Sequence, residues 1–286
     1  MELKYLVSPS LVGLLVGLFV AIFVLYPMFL EARSVYFPSR SFNATPARWG
    51  LEYEEVSLTT EDGLRLSGWY IPNAGAKSTV LWFHANAHNI SQAYDSEWLV
   101  LIQSRLAANL FIFDYRGYGR SEGKPSEEGT YRDARAALSY LRSRPDVDSS
   151  RIIYFGHSLG SAVATDLATK VEPMGLILWS PFSSFAEAAR HHYPILGHVY
   201  TALPGFPRIK YDSISKIRRI DTPTLILHGD NDALMPLWMG WRLQDAAKGP
   251  ANLVAIPGGT HNHMPDGGWD IFLTSAEGFI RRLEQE

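Results

Sequence analysis

The chain has 286 residues, 47 % hydrophobic and 19 % charged, a balance that excludes a disordered or fibrous polypeptide and provides for a sizeable core. A formal net charge of −3 and a pI near 6.3, with no block of Lys and Arg, leave no electrostatic footprint for nucleic acid. With no cysteine, disulfide scaffolds, zinc–thiolate sites and cysteine nucleophiles are excluded, while either side of a membrane remains compatible.

In chain order, a short tail at 1–10 precedes residues 11–30, LVGLLVGLFVAIFVLYPMFL, which carry no charge. At helical rise this run is long enough for the roughly 30 Å hydrocarbon core of a bilayer. It is longer than a usual signal-peptide core, and Glu31-Ala32-Arg33 is no small-residue cleavage site, so a single-pass membrane anchor is expected. Lys4 stands before the run and Arg33, Arg40 and Arg48 follow it. A large translocated domain overrides so weak a bias, and the side of the membrane stays open.

A polar connector at 31–50 leads to a single folded domain at 51–286. Segments 53–59 and 64–71 flank Glu61-Asp62-Gly63 and are expected to form a hairpin with Asp-Gly at the turn. The short apolar runs at 79–83, 110–113, 152–155, 176–179, 224–227 and 253–256 suit strands buried on both faces. Helical patterns lie between them; in the clearest, Tyr131, Ala134, Leu138 and Leu141 share a stripe that stops at Pro145. Such alternation predicts an α/β fold, a mostly parallel central sheet with helices on both faces, and functional residues at the C-terminal strand ends.

The run at 152–155 ends in Gly156-His157-Ser158-Leu159-Gly160, placing a serine between a predicted strand and a predicted helix. So sharp a turn needs neighbours without bulk, which accounts for both glycines. The amide of Leu159, in the first turn of the helix, is positioned to donate to a developing oxyanion. A serine nucleophile needs an imidazole base, and the base needs a carboxylate to hold its tautomer. Two later strand ends carry these types, one with Asp230 and Asp232 and the other with His261 and His263.

Taken together, these motifs resemble the α/β-hydrolase family over residues 53–286. The resemblance assigns the acid to Asp232, within His228-Gly229-Asp230-Asn231-Asp232, leaving Asp230 to a turn, and the base to His261, within Gly259-Thr260-His261-Asn262. His84-Ala85-Asn86-Ala87-His88-Asn89 is similar to the His-Gly-Asn-Ala-Gly-Asn loop of a membrane-anchored branch that includes depalmitoylating and lipid hydrolases. That likeness implies the Asn86 amide as second oxyanion donor. Ala85 and His88 replace glycines of the branch. Asp114 to Gly123 also resembles a loop of that branch, in which Asp114 and Arg116 are expected to pair with each other, and His84 is expected to be structural.

At residues 181–221 the strand–helix rhythm pauses where lids are inserted in this fold. Phe182, His191, His192 and Tyr193 are the substrate-binding candidates there, and the segment's aromatic and aliphatic character suits an acyl chain. The resulting expectation is a membrane-anchored serine hydrolase acting on esters or thioesters of acylated small molecules, lipids or acyl-proteins, with no cofactor, metal or obligate protein partner. An N-terminal-residue peptidase of the same fold, and a non-catalytic scaffold suggested by Ala85 and His88, are the alternatives.

Overall fold

The computed structural model describes residues 8–20, 31, 33–92 and 96–285. At the N-terminus, helix α1 (Pro9–Val20) has 12 residues, about 18 Å at 1.5 Å per residue. Among the described residues no helix is long and apolar enough to cross a membrane. The second half of the expected anchor, 21–30, and the tail at 1–7 lie outside the described residues.

Eight strands form the central sheet: β1 (Glu54–Thr59), β2 (Arg65–Ile71), β3 (Thr79–Phe83), β4 (Asn109–Phe113), β5 (Ile152–His157), β6 (Gly175–Trp179), β7 (Thr224–Gly229) and β8 (Ala251–Ile256). Their spatial order is β8-β7-β6-β5-β3-β4-β2-β1. β1 and β2 form the expected antiparallel hairpin, with Glu54 opposite Tyr70 and Thr59 opposite Arg65; Gly63 takes φ 81° in the turn. β2 runs antiparallel to β4, and from β4 to β8 every pairing is parallel.

Alternate residues of each apolar run divide between two cores. Leu81, Phe83, Phe111, Phe113, Tyr154, Leu178 and Ile226 pack with helices α3 (Glu127–Ser143), α4 (Leu159–Ala168) and α8 (Leu237–Ala246). Val80, Trp82, Leu110, Ile112, Phe155, Ile177 and Leu227 pack with α2 (Ser96–Leu106) and α9 (Gly268–Leu283) on the opposite face. Each such side chain stabilises the fold by about 1.5–3 kcal/mol relative to an exposed one. α3 shows the local logic: Ser126 caps it by accepting from the Gly129 amide, Glu127 and Glu128 occupy its first turn and Arg142 its last. The run at 253–256 differs from expectation, because β8 is an edge strand and is only partly buried.

Residues 181–221 hold three short helices, α5 (Phe185–His192), α6 (Pro194–Ala202) and α7 (Ser213–Ile217), between β6 and β7. The connector is built into the domain. Val35 and Tyr36 are buried, and Phe37 and Pro38 pair with Ala87 and His88.

Candidate active site

Ser158 stands between β5 and α4 with φ 52° and ψ −114°, a conformation that residues other than glycine avoid. Two glycines make it possible. A Cβ on Gly156 would stand 2.3 Å from the Gly160 carbonyl oxygen, and one on Gly160 would stand 2.0 Å from that of Phe83. The Ser158 amide is tied to the Trp179 carbonyl at 2.9 Å, so the serine is held at the sheet edge.

The loops after β7 and β8 converge on it. His261 Nε2 lies 2.8 Å from Ser158 Oγ, and His261 Nδ1 lies 2.8 Å from Asp232 Oδ2. A carboxylate only accepts, so Nδ1 carries the hydrogen and Nε2 is left to accept from the serine hydroxyl. Asp232 Oδ1 accepts from the amides of Leu234 (3.0 Å) and Met235 (2.8 Å), and His228 Nε2 stands 3.5 Å from Oδ2. Burial raises the Asp232 carboxyl, but hydrogen bonds from His228 and His261, the imidazole charge and the Met235 amide outweigh it and hold the group well below the usual carboxylate range. Asp230 brackets the two loops by accepting from the Gly258 amide at 2.7 Å. His263 is exposed, its backbone paired with Thr260.

His157 was legible only as a residue of the turn. Its ring stacks on Trp179 at 3.6 Å, and its Nε2 donates to the His261 carbonyl at 3.2 Å, which steadies the histidine loop from the nucleophile side. Burial pushes this imidazole down to about 3, so it is neutral. His228 was likewise visible only as part of the acid motif; it is buried and donates to the Met235 carbonyl at 2.7 Å, closing the loop that carries Asp232.

Leu159 opens α4, and Asn86 lies in the loop after β3. The Asn86 carboxamide donates to the Val35 carbonyl (2.8 Å), while its own carbonyl accepts from the Phe37 amide (2.9 Å) and the Tyr118 hydroxyl (2.7 Å). Of the two departures from glycine, His88 takes the left-handed conformation itself, with φ 66°, and its carbonyl accepts from Ser39. His84 is buried against Tyr115, and burial pushes it down to about 4.

Three expectations change. Arg116 does not pair with Asp114: its guanidinium bonds Asp133 and Asp62 at 2.9 Å, whereas Asp114 accepts from the Ile90 amide at 2.8 Å and is pushed up to about 7 by burial. Phe182 does not line an open site, because it is buried edge-on to Tyr211 in the core. The other three candidates lie at the end of α5 and just beyond it. His192 donates from Nε2 to the Leu234 carbonyl (2.8 Å), His191 lines a groove with His198 and Trp238, and Tyr193 is exposed.

The doubly wound sheet and the Ser–His–Asp arrangement at its C-terminal edge define a hydrolase architecture, and comparison with known proteins agrees. Residues 80–216 match the model of the alpha/beta hydrolase family. The chain is 36 % identical to the alpha/beta hydrolase domain-containing protein WAV2 of Arabidopsis thaliana, over 94 % of this chain and 93 % of that protein. It is 38 % identical to the uncharacterized protein Rv2307c of Mycobacterium tuberculosis, over 81 % of this chain and 80 % of that one. Among solved structures, the Pyrococcus furiosus esterase Pf2001 superposes with TM-score 0.71 at 22 % identity, covering 87 % of this chain and 98 % of that one, a likeness of fold. The chain belongs to the alpha/beta hydrolase family.

Proposed function

We propose that the protein is a membrane-anchored serine hydrolase that cleaves carboxylic ester or thioester bonds in acylated or lipid-like substrates. The observation that carries this reading is the continuous relay from Ser158 Oγ through His261 to Asp232, with both links at 2.8 Å. Ser158 Oγ attacks the acyl carbonyl carbon while its proton passes to His261 Nε2. The amides of Leu159 and Asn86 receive the oxyanion; collapse breaks the bond to the leaving group, which takes the proton from His261. Water, deprotonated by the same imidazole, then releases the acyl group from Ser158. Asp232 keeps the imidazole in the required tautomer throughout. Fold neighbours named as esterases, the Pyrococcus furiosus enzyme and an acetyl xylan esterase from Paenibacillus, support ester chemistry. The uncharged run at 11–30 supports the anchor and a lipid-like substrate.

A fluorophosphonate probe is the direct test. It is expected to label the full-length protein at Ser158, and Ser158→Ala is expected to abolish labelling and to lower turnover of short esters by about 10³-fold or more. Labelling that persists in the alanine variant overturns the nucleophile.

A further inference from the structure

Helices α5 and α6 together present an apolar face to solvent. α5 and α6 approach closely at Gly197, where a Cβ would stand 2.5 Å from the Ala189 carbonyl oxygen. α6 buries only that glycine and leaves Ile195 80 %, Leu196 70 % and Val199 53 % exposed. Trp238 shares a groove with Arg190, His191, His198 and Arg242, and it and Trp241 of α8 are also exposed. Large apolar side chains concentrated in this way mark a contact surface rather than an ordinary monomer surface.

Charge and chain path identify the occupant. Residues 181–221 contain six Lys and Arg against three Asp and Glu, in a chain whose net charge is −3. In the groove Arg242 and the acid Glu187 compensate each other, and Arg190 is the further cation of its lining. The residue that follows the uncharged run at 11–30 packs on this same segment. This residue, Glu31, is buried and accepts from the Ile209 amide at 2.7 Å, and the Tyr36 hydroxyl meets that of Tyr211 at 2.9 Å. A run that inserts in a bilayer therefore delivers the surface of that bilayer to the cap.

From this we infer that the exposed face of α6, with Trp238 and Trp241, docks on an anionic lipid bilayer, the one that receives residues 11–30. The inference rests on the membrane-anchored reading above and adds the surface and its lipid preference. Apolar side chains enter the acyl boundary while the basic groove faces anionic headgroups. His192, at the end of α5 and next in the chain but one to α6, bonds the Leu234 carbonyl in the loop that carries Asp232, so the helical pair is tied to the loop of the acid.

The absence of cysteine allows a site-specific test on the full chain. Leu196→Cys and, at the opposite end of the sheet, Ser150→Cys are labelled with an environment-sensitive nitrobenzoxadiazole dye. Each protein is incorporated in nanodiscs of phosphatidylcholine alone or of an equal mixture with phosphatidylserine. The expected result is a blue-shifted emission at 196, quenched by doxyl-labelled lipid and more strongly shifted in the mixture, with water-like emission at 150. Water-like emission at both positions, equal shifts in the two lipids, or a protein that remains in the lipid-free fraction overturns the inference. So does a shift at 196 that grows with protein concentration and resists doxyl quenching, which identifies a second copy as the occupant. Short-ester turnover measured on the same samples separates the readings: turnover without the shift removes the docking surface alone, and the shift without turnover removes the hydrolase.

Discussion

Ser158 is held at a φ of 52°, a strain of about 1–3 kcal/mol that the surrounding structure must offset. The Trp179 carbonyl fixes its amide, and His261 receives its hydroxyl, so the strained residue has one orientation. Selection between neighbouring residues follows from the same geometry. His261→Ala and Asp232→Asn are expected to lower ester turnover by about 10³-fold or more, whereas His263→Ala and Asp230→Asn leave it nearly intact, as steady-state kinetics on folded variants will show. His157 gives a stability prediction. Its folded pKa, about 3, lies below the ordinary 6.5, so the neutral form is favoured and the contribution is fully present above 6.5. It is lost as pH falls toward 3, by about 2 kcal/mol at pH 5. Asp114, pushed up to about 7, acts with the opposite sign, gaining stability as pH falls through that value. Urea unfolding at pH 7 and pH 5 is therefore compared between wild type and His157→Asn, and the acid-side loss should be smaller in the variant by about 2 kcal/mol. An unchanged difference removes His157 from the pH response.

At the scale of elements, the β-strands and the loops at their C-terminal ends were readable because burial on two faces leaves an uninterrupted apolar run, as at 80–83 and 225–227. β8 was readable as a strand but not as a half-exposed edge, since position in the sheet order depends on pairing rather than composition. The connector was the least readable element. Many of its ties to the body run through main-chain groups, Phe37 to Asn86, Ser39 to His88 and the Val35 carbonyl under the Asn86 carboxamide, and such bonds impose no period on a sequence. Nor could composition show that Phe182 faces the core while Tyr193 faces solvent, because both suit a lid. The strap of connector against oxyanion loop has a kinetic consequence. Asn86→Ala keeps the main-chain N–H but removes the side-chain bond that ties this residue to the Val35 carbonyl, so kcat for a short ester should fall about tenfold, a fraction of the 10²–10³ attached to a whole oxyanion donor, with KM nearly unchanged. An unaltered kcat means that the carboxamide does not position this loop.

For the molecule as a whole, the strap joins three parts that composition alone would separate: the apolar run, the cap and the oxyanion loop. Glu31 and Tyr36 hold the cap side, and Val35, Phe37 and Ser39 hold the loop side. Removing residues 1–30 keeps every one of these contacts and every member of the relay. Turnover of short, water-soluble esters should therefore persist in the shortened protein, because the run takes no part in transition-state stabilisation. If the run anchors the protein as proposed, its loss should lower the rate on long-chain esters embedded in vesicles by about 10²-fold, the usual scale of an effective-concentration term. What remains on anionic vesicles should fall further as salt is raised, since the basic groove of the cap is then the main attraction and is screened. Rates of the full-length and shortened proteins on both substrate forms, at low and high salt, decide the matter. A folded but inactive shortened protein, or equal rates on vesicles, refutes the division of labour between tether and relay.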